Sequence, residues 1–297
     1  MIIGMFLLML IGGIIYAILH AVKRKTLDVV SKATETPLMK AAVAGDVDKI
    51  KELLASGVFI DEANAAKNTA LSLSVINNKE EAAKILIDAG ANLNMLLRDE
   101  KDIFTLAIES KNAKILMFLI EKTDVKTFID KNLLNRAVKE NFGGEVIRKF
   151  LEKDIEGLFK KVPDNDKYCS DIDMALLYAT KNNNIENIDL LLKNGAGLSA
   201  NPIWFAVANG SLQLVKKFIE LGDNIEGKDE SGRTCLALAV SNGYYEIAEL
   251  LLENKANPNI QVKHPFQGHF LSLLSYAKCW KSAKIMTPLL IKYGAKK

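Results

Sequence analysis

The chain has 297 residues, 25% of them charged and 7% aromatic, with 39 Lys and Arg against 36 Asp and Glu. Lys23, Arg24 and Lys25 follow an N-terminal run that has no acid, so the remainder balances at 36 against 36, which excludes the overall basic excess of a typical nucleic-acid binder. Cys169, Cys235 and Cys279 are odd in number, far apart and without a C-x-x-C pair, which argues against both a disulfide framework and a zinc site.

Ile2–Val22 reads I-I-G-M-F-L-L-M-L-I-G-G-I-I-Y-A-I-L-H-A-V, without an Asp, Glu, Lys or Arg. At ~1.5 Å per residue it spans about 30 Å, the thickness of a bilayer's hydrocarbon core, and predicts a transmembrane helix at 2–22. A cleaved signal peptide would carry its charge before the apolar run and a small-x-small site after it; here the basic residues follow directly. Their position predicts a single-pass membrane protein with the following residues in the cytoplasm, a periplasmic orientation being the alternative. Gly13, Ala17 and Ala21 form a small-xxx-small row through which two such helices could self-associate. Residues 23–35 read as a basic juxtamembrane linker.

A repeating unit then begins. Thr36–Asp46, T-P-L-M-K-A-A-V-A-G-D, is followed by Ile50, Leu53, Leu54 and Gly57 at helical spacing, with Pro37 at a first helical position, where its missing N–H costs nothing. The next copy starts at Thr69, thirty-three residues on, with Leu71, Ala83, Leu86, Ile87, Gly90, Ala91 and Asn94 as landmarks. Ile103–Lys122 and Leu133–Lys153 keep the apolar positions but erode the rest; the second inserts F-G-G before its second helix. Residues 154–171 break the period and read as an irregular connector. From Ile172 the pattern resumes, and Gly232–Asn259 is its fullest copy. There Thr234 caps a short helix, Leu236 and Ala239 share its apolar face, Gly243 ends it with positive φ, and a second helix from Tyr245 to Asn254 buries Ile247, Ala248, Leu251 and Leu252. The last pair, Leu271–Tyr293, follows a longer finger, V-K-H-P-F-Q-G-H, and has Pro288 in its second helix, which suits a divergent capping unit.

Gly232, Thr234, Leu236, Ala239, Gly243, Leu251, Leu252, Ala256 and Asn259 fall where the pattern G-x-T-P-L-H-x-A-A-x-x-G-H…L-L-x-x-G-A-x-x-N places them, and the sequence resembles the ankyrin-repeat family. The resemblance implies an all-α solenoid of stacked helix-turn-helix units with short hairpin fingers, preceded by the transmembrane helix. Seven to eight units would divide into N-terminal repeats at 36–153 and C-terminal repeats with a cap at 172–297. Neither helix of such a unit can bury its own apolar stripe, so neighbours must stack.

Catalytic and cofactor chemistry has no residues to carry it, and no cofactor is expected. Gly222–Asp229, G-D-N-I-E-G-K-D, opens like a phosphate loop but puts Asp229 where Ser or Thr should hold magnesium. Asp164–Asp173 groups acids, yet Cys169 and Ala175 occupy the Gly and Glu places of a calcium loop. His264 and His269 have no third ligand and read as turn residues. The resemblance implies instead a protein partner met by the concave face and fingers. Carried onto this chain, the candidate contacts are Asn68 (with Ala65 and Ala66), Ile76, Asn77, Arg98 (with Glu100), Trp204, Asn209, Glu230, Ser231, Arg233, Ser241 and Asn242, with Phe266 in the last finger. Trp204 and Arg233 are the types that most often dominate an interface; Trp204 is equally a core filler beside Phe205. The expected function is a membrane-anchored, non-enzymatic scaffold or regulator; the alternative is an immunity protein that neutralises a secreted bacterial toxin or lipase.

Overall fold

The computed structural model describes residues 32, 34–124, 126, 127, 132–154, 170–229, 232–263 and 269–296. Ile2–Val22, with Gly13, Ala17 and Ala21, lies outside them, as do most of the linker 23–35 and residues 155–169. Among the described residues no helix is long and apolar enough to cross a membrane. The described chain is a succession of short helix pairs that divides into two compact units between residues 124 and 125.

Among the described residues the first unit holds three pairs: α1 (Pro37–Ala44) with α2 (Val47–Ala55), α3 (Ala70–Ile76) with α4 (Glu80–Asp88), and α5 (Ile103–Glu109) with α6 (Ala113–Lys122). The second holds five: α7 (Leu133–Lys139) with α8 (Gly144–Lys153), α9 (Asp171–Lys181) with α10 (Ile185–Lys193), α11 (Ile203–Ala208) with α12 (Leu212–Glu220), α13 (Cys235–Asn242) with α14 (Tyr245–Glu253), and α15 (Leu273–Ala277) with α16 (Ala283–Lys292). Within each unit the first helix of a pair packs on the first helix of the next, and most second helices do the same. Helices of five to eleven residues would not persist alone in water. They are held by cores made between neighbours, with Phe104, Ile115 and Leu119 fully buried in one unit and Phe150, Phe218 and Leu251 in the other.

Local chemistry sets where these helices start and stop. Thr36 Oγ1 accepts from Met39 N at 3.2 Å, Asp102 Oδ1 from Thr105 N at 2.7 Å and Thr234 Oγ1 from Ala237 N at 3.3 Å, while Thr69 and Ser72 form a reciprocal capping box. Nine residues after these caps the backbone turns left-handed. Gly45 and Gly243 do so at φ 77°; Asn78 takes the place in the copy that begins at Thr69, and Lys111 and, nine residues after Asn132, Asn141 take it in the eroded copies, with φ between 53° and 61°. The turn therefore outlives the glycine, at a cost of ~1–2 kcal/mol per residue that Asn tolerates best.

Asparagines also join one pair to the next. Asn182 Nδ2 donates to Val138 O and Asn209 Nδ2 to Thr180 O, both at 2.8 Å, adding a second donor to carbonyls at the C-terminus of the preceding first helix that already accept the N–H of Asn141 and Asn183. Asn187, fully buried, donates to Phe142 O at 2.8 Å. By these bonds and by direct helix packing, α7 and α8 stack on α9 and α10 across the span of residues 155–169. Fingers are tied in the same repeated way: Asp61 accepts the Asn92 N–H at 2.9 Å and Glu226 the Asn257 N–H at 2.6 Å.

The last finger departs from a purely helical pattern. Gln261–Lys263 (β1) pairs antiparallel with Phe270–Ser272 (β2), with Val262 opposite Leu271 and fully buried. Residues 264–268, including His264 and Phe266, lie outside the described chain.

Candidate partner-binding surface

A groove of about 510 Å³ opens on the second unit between α11 and the finger that follows α12. It is lined by Trp204 and Phe205 of α11, by Ala200 and Asn201 just ahead of that helix, and by Lys228, Asp229 and Arg233 of the finger. α11 has only six residues and no side-chain N-cap of its own, Pro202 standing at that place. Its first N–H, from Ile203, is taken by Asp223 Oδ2 at 2.8 Å, and Oδ1 of the same carboxylate accepts from Asn224 N at 2.7 Å. Burial pushes the Asp223 carboxyl above its ordinary pKa while these two N–H groups pull it down. A buried carboxylate from one finger thus fixes the start of the helix that presents the two aromatic rings.

The rings of Trp204 and Phe205 meet edge-on, centroids 5.2 Å apart at 75°, and both residues are half-buried. Trp204 Nε1 is buried without a hydrogen-bond partner among the described residues. In the finger, Asp229 Oδ2 accepts from Arg233 Nε at 2.8 Å and lies 2.7 Å from Nη2, and Oδ1 accepts the Arg233 backbone N–H at 2.8 Å. This fork holds the guanidinium in one place before any partner arrives. Lys228 is exposed, with no side-chain partner among the described residues. The groove therefore offers an apolar wall and an open ammonium at Lys228, and its one lining carboxylate is already engaged by Arg233.

The family model for ankyrin repeats (3 copies) matches residues 10–96 and 176–262, more than half of the sequence. The chain belongs to the ankyrin repeat family. It is 27% identical over 175 residues to a Rickettsia bellii protein named for its ankyrin repeats, and 28% identical over 203 residues to one of Rickettsia felis; these alignments cover 57% and 66% of the chain. The chain spans about a quarter of the first relative's length and about half of the second's, 23% and 52%. Among solved structures it is similar to the ankyrin repeat domain of Bcl-3, with 21% identity, a TM-score of 0.42 and coverage of 86% of this chain and 98% of that one.

Of the contacts expected from the ankyrin resemblance, the structure brings Trp204 and Arg233 together on one groove. Asn209 is exposed at the end of α11, its amide spent on the carbonyls of Thr180 and Lys181. Ser241 donates to Leu238 O within its own helix at 2.9 Å, and Asn242 is exposed beside it. In the first unit, Asn68 closes a finger on Asn64, whose Oδ1 accepts the N–H groups of Ala66 and Asn68 at 3.0 Å. Ala65 is exposed and Ala66 buried. Ile76, 47% exposed, ends α3 next to Asn77, whose side chain folds back to Leu73 O at 2.8 Å. Arg98–Glu100 forms a 3-10 turn in which Asp99 and Glu100 both have φ 58°, with the Arg98 side chain outside the description. Glu230, Ser231 and Phe266 lie outside the described residues.

Phe205, Lys228 and Asp229 were not singled out by sequence reasoning. Lys228 and Asp229 had been met only as the end of a failed phosphate-loop match. The available signal was the spacing of Asp229 and Arg233, an acid and a base four apart across a turn, which marks a locked guanidinium rather than a nucleotide site.

Proposed function

We propose that this ankyrin repeat chain is a non-catalytic binding module that takes a segment of a protein partner into the groove beside Trp204. The observation that carries the reading is a pair of half-buried aromatic rings lining one groove with a guanidinium already fixed by Asp229. Aromatic and arginine side chains set in place before binding lose little freedom on contact, which is why they dominate interfaces. The partner segment would bring an apolar side chain to the rings and an acceptor to the Lys228 ammonium. With the partner captured by the full chain, Trp204→Ala combined with Arg233→Ala is expected to lower recovery on the order of tenfold or more at unchanged circular dichroism. Recovery of the same partner at the wild-type level would remove the groove from the interface.

Anchoring at a membrane is the second part of the proposal, supported by the length and apolarity of Ile2–Val22, with Lys23, Arg24 and Lys25 favouring repeats in the cytoplasm. A membrane-held module meets membrane-bound partners at raised local concentration. A reporter fused after Lys297 is expected to be active on the cytoplasmic side alone; activity on the opposite side would reverse the orientation. No residue of the chain favours the toxin-neutralising reading over a general protein partner.

A further inference from the structure

The near-neutral balance of the chain conceals a steep local asymmetry. From Asn254 to Lys297 the sequence carries eight lysines and no Asp, Glu or Arg, so with a total of +3 the preceding residues are net acidic by five. The last helix pair gathers this charge on a surface. α16 packs against α14 and α15, burying Met286, Leu289 and Leu290. At helical spacing Lys284, Ile285, Pro288, Ile291 and Lys292 fall on the opposite side, within an arc of about 120°, and all five are exposed. Ile285 and Ile291 are 51% and 57% exposed, large apolar side chains spaced between cations. Lys281 and Lys278, just ahead of the helix, are exposed as well. Lys292 reaches Glu249 at 3.2 Å, but Lys278, Lys281 and Lys284 have no ion pair among the described residues.

We propose that this face of α16 lies on an anionic lipid surface, with Lys278, Lys281 and Lys284 at the headgroups and Ile285 and Ile291 entering the acyl boundary. The complementarity is twofold. Unpaired cations are attracted to a negative leaflet, each lysine near it multiplying association about fivefold, and isoleucines interleaved with them gain burial only from an occupant that is apolar beneath its charge. A nucleic acid offers charge without that apolar layer, and its recognition favours arginine, absent from these forty-four residues. The inference is independent of the Trp204 groove, which lies on other helices, and uses nothing from Ile2–Val22.

The test uses the full chain, reconstituted into vesicles of phosphatidylcholine alone or with about one third phosphatidylserine. A polarity-sensitive fluorophore is placed at Ile291→Cys after Cys169→Ser and Cys279→Ser. Cys235 stays unlabelled because it is fully buried, and burial, with the charges of Asp223 and Glu226, pushes its thiol up to about 12. Emission is expected to shift to the blue and brighten about twofold with the anionic lipid alone, to return in high salt, and to be lost in Lys281→Glu with Lys284→Glu. Equal emission in the two lipids, or retained brightness in the charge-reversed chain, would overturn the proposal. So would an equal response to polyglutamate or RNA added to phosphatidylcholine vesicles, which would assign the face to an acidic macromolecule instead.

Discussion

Phe218→Ala is expected to lower the unfolding free energy of the second unit by ~3–5 kcal/mol. Phe218 is fully buried on α12, a helix of nine residues that packs on α11 and α14, so truncation loosens its own pair and the junction with the next one at once. The surrounding helices are anchored elsewhere in the stack and cannot all move in to fill the space, which is why the cavity adds to the lost transfer energy. Single domains are stable by only ~5–15 kcal/mol, so a loss of this size is a large part of the whole. In a repeat stack stability is passed between nearest neighbours, and the damage should be greatest in adjacent pairs. Urea denaturation followed by circular dichroism gives the magnitude, and amide hydrogen exchange gives the place: α11 to α14 should lose protection first while α1 to α6 keep theirs. A loss below about 1 kcal/mol would show that Phe218 is not the shared contact the packing makes it.

Gly210→Val should cost roughly 2–3 kcal/mol, from two causes that can be separated. Gly210 adopts φ 69°, where a β-branched residue is strained by its own Cβ, and a Cβ at this position would stand 2.9 Å from the ring carbon Cζ of Tyr244 in the next helix pair. The backbone strain is local and survives any change in the neighbour. The overlap with the ring does not. In a Tyr244→Ala background the same substitution should therefore cost only the ~1–2 kcal/mol of left-handed strain. Thermal denaturation of the four proteins of this cycle measures the coupling; an equal cost in both backgrounds would place Tyr244 out of reach of residue 210.

Much of this architecture was legible from one copy of the repeat. The threonine caps, the left-handed turn at Gly243 and the apolar spacing of the Tyr245 helix are properties of residues within a few places of one another, and each appears as the pattern predicts. The eroded copies were harder for a physical reason. Lys111 and Asn141 make the turn that glycine makes elsewhere, at the cost of some strain, so the consensus letter disappears while the conformation stays. The polar fasteners were not legible. Asn209 looks in the sequence like an exposed residue free to recognise something; only the neighbouring pair shows that its amide is committed to the carbonyls of Thr180 and Lys181.

By itself the amino-acid order determined the helix-pair repeat, its period, its caps and the charge imbalance of the last forty-four residues, because all of these depend on composition and short spacings. The tertiary structure decided which side chains face each other across pairs. Trp204 and Phe205 become one wall of a groove because Asp223, from a different finger, holds the start of their helix. Lys284, Ile285 and Ile291 become a surface because Met286, Leu289 and Leu290 are taken by the helices beside them. Burial is shared out among neighbours only when the chain stacks, and a linear sequence does not state which face of a helix the next one will cover.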